Sequence, residues 1–327
     1  MGATTAVQAR GLTRAFGEVK AVDGLDLAVE RGEVFGLLGP NGAGKTTTVR
    51  MLVTLLKPTA GSVQVLGLDG ERDAAALRRR IGYVPQEITV DPGLTGTENL
   101  RFFGRLYGLS RAEVDARGGE LLRMFALEGD QDRRVRGYSG GMKKKLDLAC
   151  GLLHRPELLF LDEPSLGLDV GTRRAVWDHI LQLKRQGVTI LLCTNLMDEA
   201  DRLCDRIAII DRGKLAAVGA PADLKRELGG DVVTMELATD GAPRLDALAE
   251  ALGRLPMVSS TLREGERLHV YVEANETAIP ALVDAARGQG VDVRSLSYVR
   301  PALDEVFLRH TGHRFANEPA EPRKRRA

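Results

Sequence analysis

Leu25, Leu27 and Val29 alternate with the polar Asp26 and the small Ala28 and stop at the turn Glu30-Arg31-Gly32, a period of two that predicts an antiparallel strand with one buried face. Just after the turn, Val34-Phe35-Gly36-Leu37-Leu38 has no polar member and reads as the first strand of a core sheet. The period then lengthens, and residues 45–56 are expected to be helical. Short apolar runs at 81–84, 158–162, 188–193 and 206–210 are separated by helical segments, a rhythm that predicts a largely parallel sheet with helices on both faces. Strand patterns vanish over about 97–155, where Leu100, Phe103, Leu106, Tyr107 and then Leu121, Leu122, Phe125 recur at helical spacing; a helical subdomain inserted into the sheet is expected there. After Gly229-Gly230 the pattern changes. Strands are expected at 232–238, 268–273 and 291–298, with a further one at 257–262, and helices near 244–254 and 277–289. This predicts a small α+β domain over 231–313, ferredoxin-like in type. Residues 317–327, rich in Pro, Glu and Arg, lack the apolar content to fold and are expected to form a disordered tail.

The second strand leads directly into Gly39-Pro40-Asn41-Gly42-Ala43-Gly44-Lys45-Thr46-Thr47, the spacing of a phosphate-binding loop in its required strand context. Glycines let successive N–H groups turn toward one anion, Lys45 supplies a point charge to β/γ oxygens, and the following helix directs its positive end at them. A nucleoside triphosphate is the expected ligand, with the Thr46 hydroxyl on Mg²⁺. Far downstream, the apolar run Leu158–Asp162 ends in two carboxylates, for which a buried strand has no structural use. Asp162 is placed to hold Mg²⁺ through its water shell, and Glu163 to polarise the water that attacks the γ-phosphate.

Composition narrows the class further. A chain of 327 residues with 43% hydrophobic content is long enough for two domains with substantial cores. A net charge of +1 provides no field selecting nucleic acid, so no nucleic-acid partner is expected. Cys150, Cys193 and Cys204 are odd in number and lie in apolar surroundings, which favours buried reduced thiols over disulfides. No apolar run approaches the ~18 residues of a membrane span, and a chain of this kind that acts at a membrane borrows another chain to cross it.

The phosphate loop, the paired carboxylates and, about twenty residues before Asp162, the segment Tyr138-Ser139-Gly140-Gly141-Met142 together resemble the ATP-binding cassette family over roughly residues 5 to 228. The resemblance implies a P-loop NTPase cassette of α/β class, with a mostly parallel sheet, a small antiparallel sheet and an inserted helical subdomain. Phe16 then stands where an aromatic ring stacks on adenine, or alternatively packs within the small sheet. Gln86 matches the glutamine that reaches Mg²⁺ or the attacking water beside a membrane partner. Ser139, Gly140 and Gly141 match the signature that grips a γ-phosphate bound by the opposite subunit, which implies a head-to-tail dimer, two-fold symmetric if the chains are identical. Asp169 matches a loop that crosses the same interface, and equally suits the cap of the helix that follows.

Three departures stand out. Tyr138 and Met142 replace the usual leucine and glutamine of the signature, Leu166 replaces a Ser or Thr, and Asn195 stands where the family has the histidine that contacts the γ-phosphate. Catalytic Glu163 and Gln86 remain, with Asn195 retaining only an amide. The closing stretch Tyr298-Val-Arg-Pro301-Ala-Leu-Asp-Glu-Val-Phe307-Leu-Arg-His-Thr-Gly312 resembles the C-terminal extension of daunorubicin-resistance-type exporter ATPases. The resemblance thus implies an ATPase, with ATP and Mg²⁺ as cofactors, that drives efflux of a drug or other hydrophobic compound through a separate permease at the cytoplasmic face of the membrane. A regulatory or weakly hydrolysing cassette is the alternative, suggested by Asn195. A ribosome- or DNA-associated cassette is a further alternative, disfavoured by the single cassette and the lack of a coiled-coil insertion.

Overall fold

The computed structural model describes residues 5–238, 242–273, 278–299 and 301–315; the expected tail at 317–327 lies outside the described residues. The chain divides after Val218 into two compact units.

In the first unit, β1 (Thr5–Phe16) and β2 (Val19–Glu30) form an antiparallel ribbon whose inner face carries Val22, Leu25, Leu27 and Val29. β3 (Val34–Leu38) is buried at every position and feeds the glycine-rich loop, which ends at α1 (Lys45–Leu52). This helix stops earlier than its apolar period suggests. Thr54 turns into the left-handed region at φ 63°, and the Leu55 and Leu56 N–H groups fold back onto the Arg50 carbonyl. β4 (Ala60–Val65) and β5 (Leu68–Asp69) complete a four-stranded antiparallel sheet, β2-β1-β4-β5.

A short α2 (Ala74–Arg78) precedes β6 (Ile81–Val84), after which come α3 (Gly96–Leu106), α4 (Arg111–Met124) and α5 (Gly140–Leu152). Reciprocal capping boxes, Thr95 with Glu98 and Ser110 with Glu113, begin α3 and α4. The two helices touch closely because Gly104 has no side chain: a Cβ there would stand 2.2 Å from Val114 Cγ2. Leu106 is exposed rather than part of the buried stripe, since six residues from Leu100 place it about two-thirds of a turn away around the axis.

β7 (Leu158–Asp162), α6 (Val170–Arg185), β8 (Thr189–Thr194), α7 (Met197–Leu203), β9 (Arg206–Asp211) and β10 (Lys214–Gly219) follow. The main sheet runs β10-β9-β3-β8-β7-β6, and every pairing from β9 to β6 is parallel. Its register sets Leu38 beside Thr194, Asp162 beside Cys193 and Val84 beside Leu161. The segments leaving β3, β6, β7 and β8 therefore emerge at one edge, where open parallel sheets bind their ligands.

The second unit contains α8 (Pro221–Arg226), β11 (Asp231–Ala238), α9 (Ala242–Gly253), β12 (Val258–Glu264), β13 (Arg267–Val272), α10 (Ala278–Gly288), β14 (Asp292–Val299) and α11 (Leu303–Thr311). Its antiparallel sheet has the order β12-β13-β11-β14, so β11 to β14 with their two helices form the split β-α-β arrangement of ferredoxin-like domains. Leu245, Leu248 and Leu252 of α9 and Leu282 of α10 pack against Val233, Met235 and Val270 of the sheet. α8 packs against α11 within this unit.

Candidate functional site

The glycine-rich loop is shaped by close contacts that admit no side chain at two positions. A Cβ on Gly39 would lie 2.3 Å from the Ile210 carbonyl oxygen, and one on Gly44 would lie 2.4 Å from that of Ala21. Gly44 also takes φ 105° immediately before α1, a conformation that only glycine adopts without strain. The loop is thus pressed against the sheet, and its N–H groups head the helix as an anion cradle requires.

Lys45 is 5% exposed, and three oxygens surround its ammonium. Nζ donates to the Gly39 carbonyl at 2.8 Å and the Pro40 carbonyl at 3.1 Å, and stands 3.4 Å from Glu163 Oε1. Thr46 Oγ1 donates to Asp162 Oδ1 at 3.2 Å. Burial raises the Asp162 pKa above the ordinary carboxylate value, the Thr46 hydrogen bond opposes this, and the neighbouring Glu163 charge adds to it. Both carboxylates retain a buried oxygen, Asp162 Oδ2 and Glu163 Oε2, with no hydrogen-bond partner among the described residues. Unspent hard oxygens beside a hydroxyl suit Mg²⁺. Among the described residues no three acidic, His or Cys side chains gather into a metal site of their own. The remaining positions around such an ion therefore belong to phosphate and water, the usual arrangement for Mg²⁺ on a nucleotide.

Glu163 lies beyond the end of β7 at φ 49°, an unfavourable conformation for a residue with a side chain, and its N–H donates to the Cys193 carbonyl at 2.9 Å. That bond ties it to β8, whose continuation carries Asn195. The Asn195 side chain is 8% exposed, and its Nδ2 donates to Asn41 Oδ1 of the phosphate loop at 3.4 Å. Gln86 follows β6 at the same sheet edge and is exposed. Phe16 ends β1 with its ring 49% exposed and the Arg14 guanidinium 4.7 Å from its centroid, so it is not buried in the small sheet. Pro40, Gly42, Ala43 and Thr47 complete the loop, with Gly42 at φ 82°.

Ser139, Gly140 and Gly141 start α5, and none of them hydrogen-bonds to the phosphate loop or the two carboxylates among the described residues. Ser139 Oγ accepts from the Met142 N–H at 3.2 Å and caps the helix. A Cβ on Gly141 would strike Thr172 Cγ2 at 2.3 Å, whereas one on Gly140 would meet no described atom within 4 Å. Asp169 caps α6 through both oxygens, accepting from the Thr172 N–H at 2.9 Å and the Thr172 hydroxyl at 2.6 Å. Leu166 and Val170 beside it are exposed. Tyr138 is buried with its hydroxyl donating to the Asp130 carbonyl at 2.7 Å, and Arg133 lies over its ring while contacting Met142 Sδ at 3.6 Å. The two signature departures thus share one arginine.

Sequence reading passed over a buried hub. Glu199 of α7 is fully buried, and its Oε1 accepts from Ser165 Oγ at 2.6 Å and Trp177 Nε1 at 2.8 Å. It joins the turn after Glu163 to α6 and to the helix after Asn195. Burial raises its pKa, against the pull of the Ser165, Thr194 and Trp177 donors.

This fold and site define a class. Residues 22–166 match the family model described as ABC transporter, and residues 219–311 match that of the ATP-binding protein DrrA1-3-like, C-terminal domain. The daunorubicin resistance ATP-binding protein DrrA3 of Streptomyces coeruleorubidus is 44% identical over 311 residues, covering 95% of this chain and 97% of that protein. The linearmycin resistance ATP-binding protein LnrL of Bacillus subtilis is 36% identical over 308 residues, covering 94% of this chain and 98% of that protein. A solved ATP-binding subunit of an ABC transporter superposes with a TM-score of 0.63 at 33% identity, covering 69% of this chain and 94% of that one. The chain therefore belongs to the ATP-binding cassette transporter family, as one of its ATPases. Its second unit is of the daunorubicin-resistance type.

Proposed function

We propose that this chain is the ATP-hydrolysing subunit of an exporter and drives efflux of a drug or other hydrophobic compound through a separate membrane permease. The observation that carries the reading is the sheet edge itself, where Lys45 faces Glu163 at 3.4 Å and Thr46 faces Asp162 at 3.2 Å. The nature of the cargo rests on the relatives, whose names include resistance to daunorubicin and to linearmycin and, in Ralstonia nicotianae at 41% identity, export of Nod factor.

In this reading residues 39–47 and Phe16 bind ATP, and Thr46, Asp162 and Gln86 hold Mg²⁺, which when bound neutralises charge on the β/γ oxygens. Glu163 orients the attacking water and draws on its proton, and Asn195 offers its amide to the γ-phosphate. Ser139, Gly140 and Gly141 complete the site of a second, identical chain, with Asp169 at the junction. The open space beside Gly140 supports this, because among the described residues beyond its own helix backbone no atom lies within 4 Å of a Cβ placed there. A dimeric cassette has been solved with ADP and Pi, at 25% identity and a TM-score of 0.60. The nucleotide-binding domain ends at Val218, and the accessory domain begins at Gly219. No helix among the described residues is long and apolar enough to cross a membrane. Membership of the transporter family supports a place at the cytoplasmic face through the permease, and the net charge of +1 supports no nucleic-acid partner. Cells producing the chain with its permease should accumulate less daunorubicin than cells producing Glu163→Gln with the same permease. Equal accumulation overturns daunorubicin as the cargo, and equal accumulation of linearmycin and of lipid-linked sugars as well overturns export as the function.

A further inference from the structure

Helix α5 carries two buried charges that make no hydrogen bond to the phosphate loop or to Asp162 and Glu163 among the described residues, although Lys144 feels the Asp162 charge. Lys144 and Asp147 lie one turn apart on its inner face, 4% and 2% exposed. Lys144 Nζ donates to the Pro85 carbonyl at 2.8 Å. Asp147 Oδ1 accepts from the Thr89 N–H at 3.2 Å and from the Thr89 hydroxyl. Their own ion pair is long, 4.0 Å, so each is directed chiefly at the chain across from it.

Those two anchors bracket a short exposed segment. Pro85 and Thr89 are fixed to α5, and Gln86, Glu87 and Ile88 between them are exposed. The same helix begins at Ser139, so its start faces one nucleotide site while its second and third turns hold the residue that reaches another. We propose that Lys144 and Asp147 are positioning residues that fasten the Gln86 segment to the signature helix and thereby hold Gln86 where it can reach the nucleotide. The inference rests on the reading of Gln86 as a group that reaches Mg²⁺ or the attacking water. Burying a lysine for one carbonyl costs more than a hydrophobic residue would, which fits a role in placement rather than in stability.

The test is a double-mutant comparison on the full chain. A labelled, non-hydrolysable ATP analogue is titrated with Mg²⁺ and again with EDTA, and the ratio of the two affinities gives the Mg²⁺-dependent gain. Gln86→Ala is expected to lower this gain by on the order of 10-fold, the usual effect of losing an outer contact to a metal. Lys144→Met, which keeps the stem and removes the donor, is expected to lower it comparably. The variant carrying both should match Gln86→Ala alone, since residues acting through one contact are not additive. Lys144→Arg should restore the gain by keeping an N–H for the Pro85 carbonyl. Affinity in EDTA should stay within about twofold throughout. If Lys144→Met prevents folding, the surface change Thr89→Val replaces it in the same comparison. Effects that multiply in the double variant, or a wild-type gain in Lys144→Met, overturn the inference while leaving the Gln86 reading intact. A wild-type gain in Gln86→Ala overturns that reading, and the inference with it.

Discussion

Lys45 and Glu163 form a buried pair, so Lys45→Ala removes more than a phosphate contact. It leaves a carboxylate at 7% exposure without its cation, a loss of about 3–5 kcal/mol for a pair of this kind. Lys45→Ala should therefore lose ATP binding and also melt earlier, and adding Glu163→Gln should restore part of the melting temperature without restoring binding. Thermal denaturation beside a nucleotide titration checks both; unchanged ATP affinity in Lys45→Ala refutes the loop assignment. At Asn195 the expectation concerns rate. Losing one charged donor to the transition state costs at most on the order of 10²–10³, so Asn195→His should raise steady-state turnover. No gain means that another step limits the cycle. Glu199 gives a pH test. Its pKa is raised by burial, so the folded chain holds its proton more tightly than the unfolded one, and the wild type loses stability as pH rises through that window. Glu199→Gln keeps the acceptor for Ser165 and Trp177, so its melting temperature relative to wild type should rise as pH is raised above the ordinary glutamate value of 4.5. The residues of the phosphate loop and the two carboxylates were legible because chemistry demands them in unbroken spacing. Glu199 was not, since nothing in Met197-Asp198-Glu199-Ala200-Asp201 signals which carboxylate turns inward to meet a tryptophan on another helix.

At the scale of elements, the adjoining glycines of the signature have separate reasons to exist. Gly141→Ala drives a methyl into Thr172, whose hydroxyl is held by Asp169, so the cap of α6 must move; overpacking of this kind costs about 1–3 kcal/mol. Gly140→Ala meets no atom of the described residues beyond its own helix backbone. It should melt like the wild type yet lose Mg-ATP-dependent turnover, whereas Gly141→Ala should lose melting temperature as well. Equal turnover in Gly140→Ala argues against a partner approaching that face. Buried strands such as β3, β7 and β8 were readable from unbroken apolar runs. The early end of α1 was not: Leu55 and Leu56 continue the apolar pattern, and only the reversal at Thr54 stops the helix. The clamp from α5 to Pro85 and Thr89 was equally hidden, because positions nearly sixty residues apart leave no local period.

For the whole molecule, Glu163→Gln should hold Mg-ATP intact and accumulate a dimer, visible by gel filtration; a variant that stays monomeric with Mg-ATP speaks against pairing of identical chains. The glycine pair 229–230 resembles a linker in sequence, yet a Cβ on Gly230 would lie 1.9 Å from the Val272 carbonyl oxygen, and α8 packs with α11. The place to separate the units is after Val218. A chain ended there should keep its affinity for ATP, because every phosphate-facing residue precedes it. The three thiols add a practical consequence. Cys150, Cys193 and Cys204 are free and buried, and burial raises all three pKa values well above that of an exposed thiol. The native chain should therefore react slowly with alkylating reagents, which a thiol titration before and after denaturation checks, and the wild-type background then serves for labelling. A single cysteine at exposed Leu166 should react alone, and its loss of reactivity with Mg-ATP would time the closing of one chain on the other.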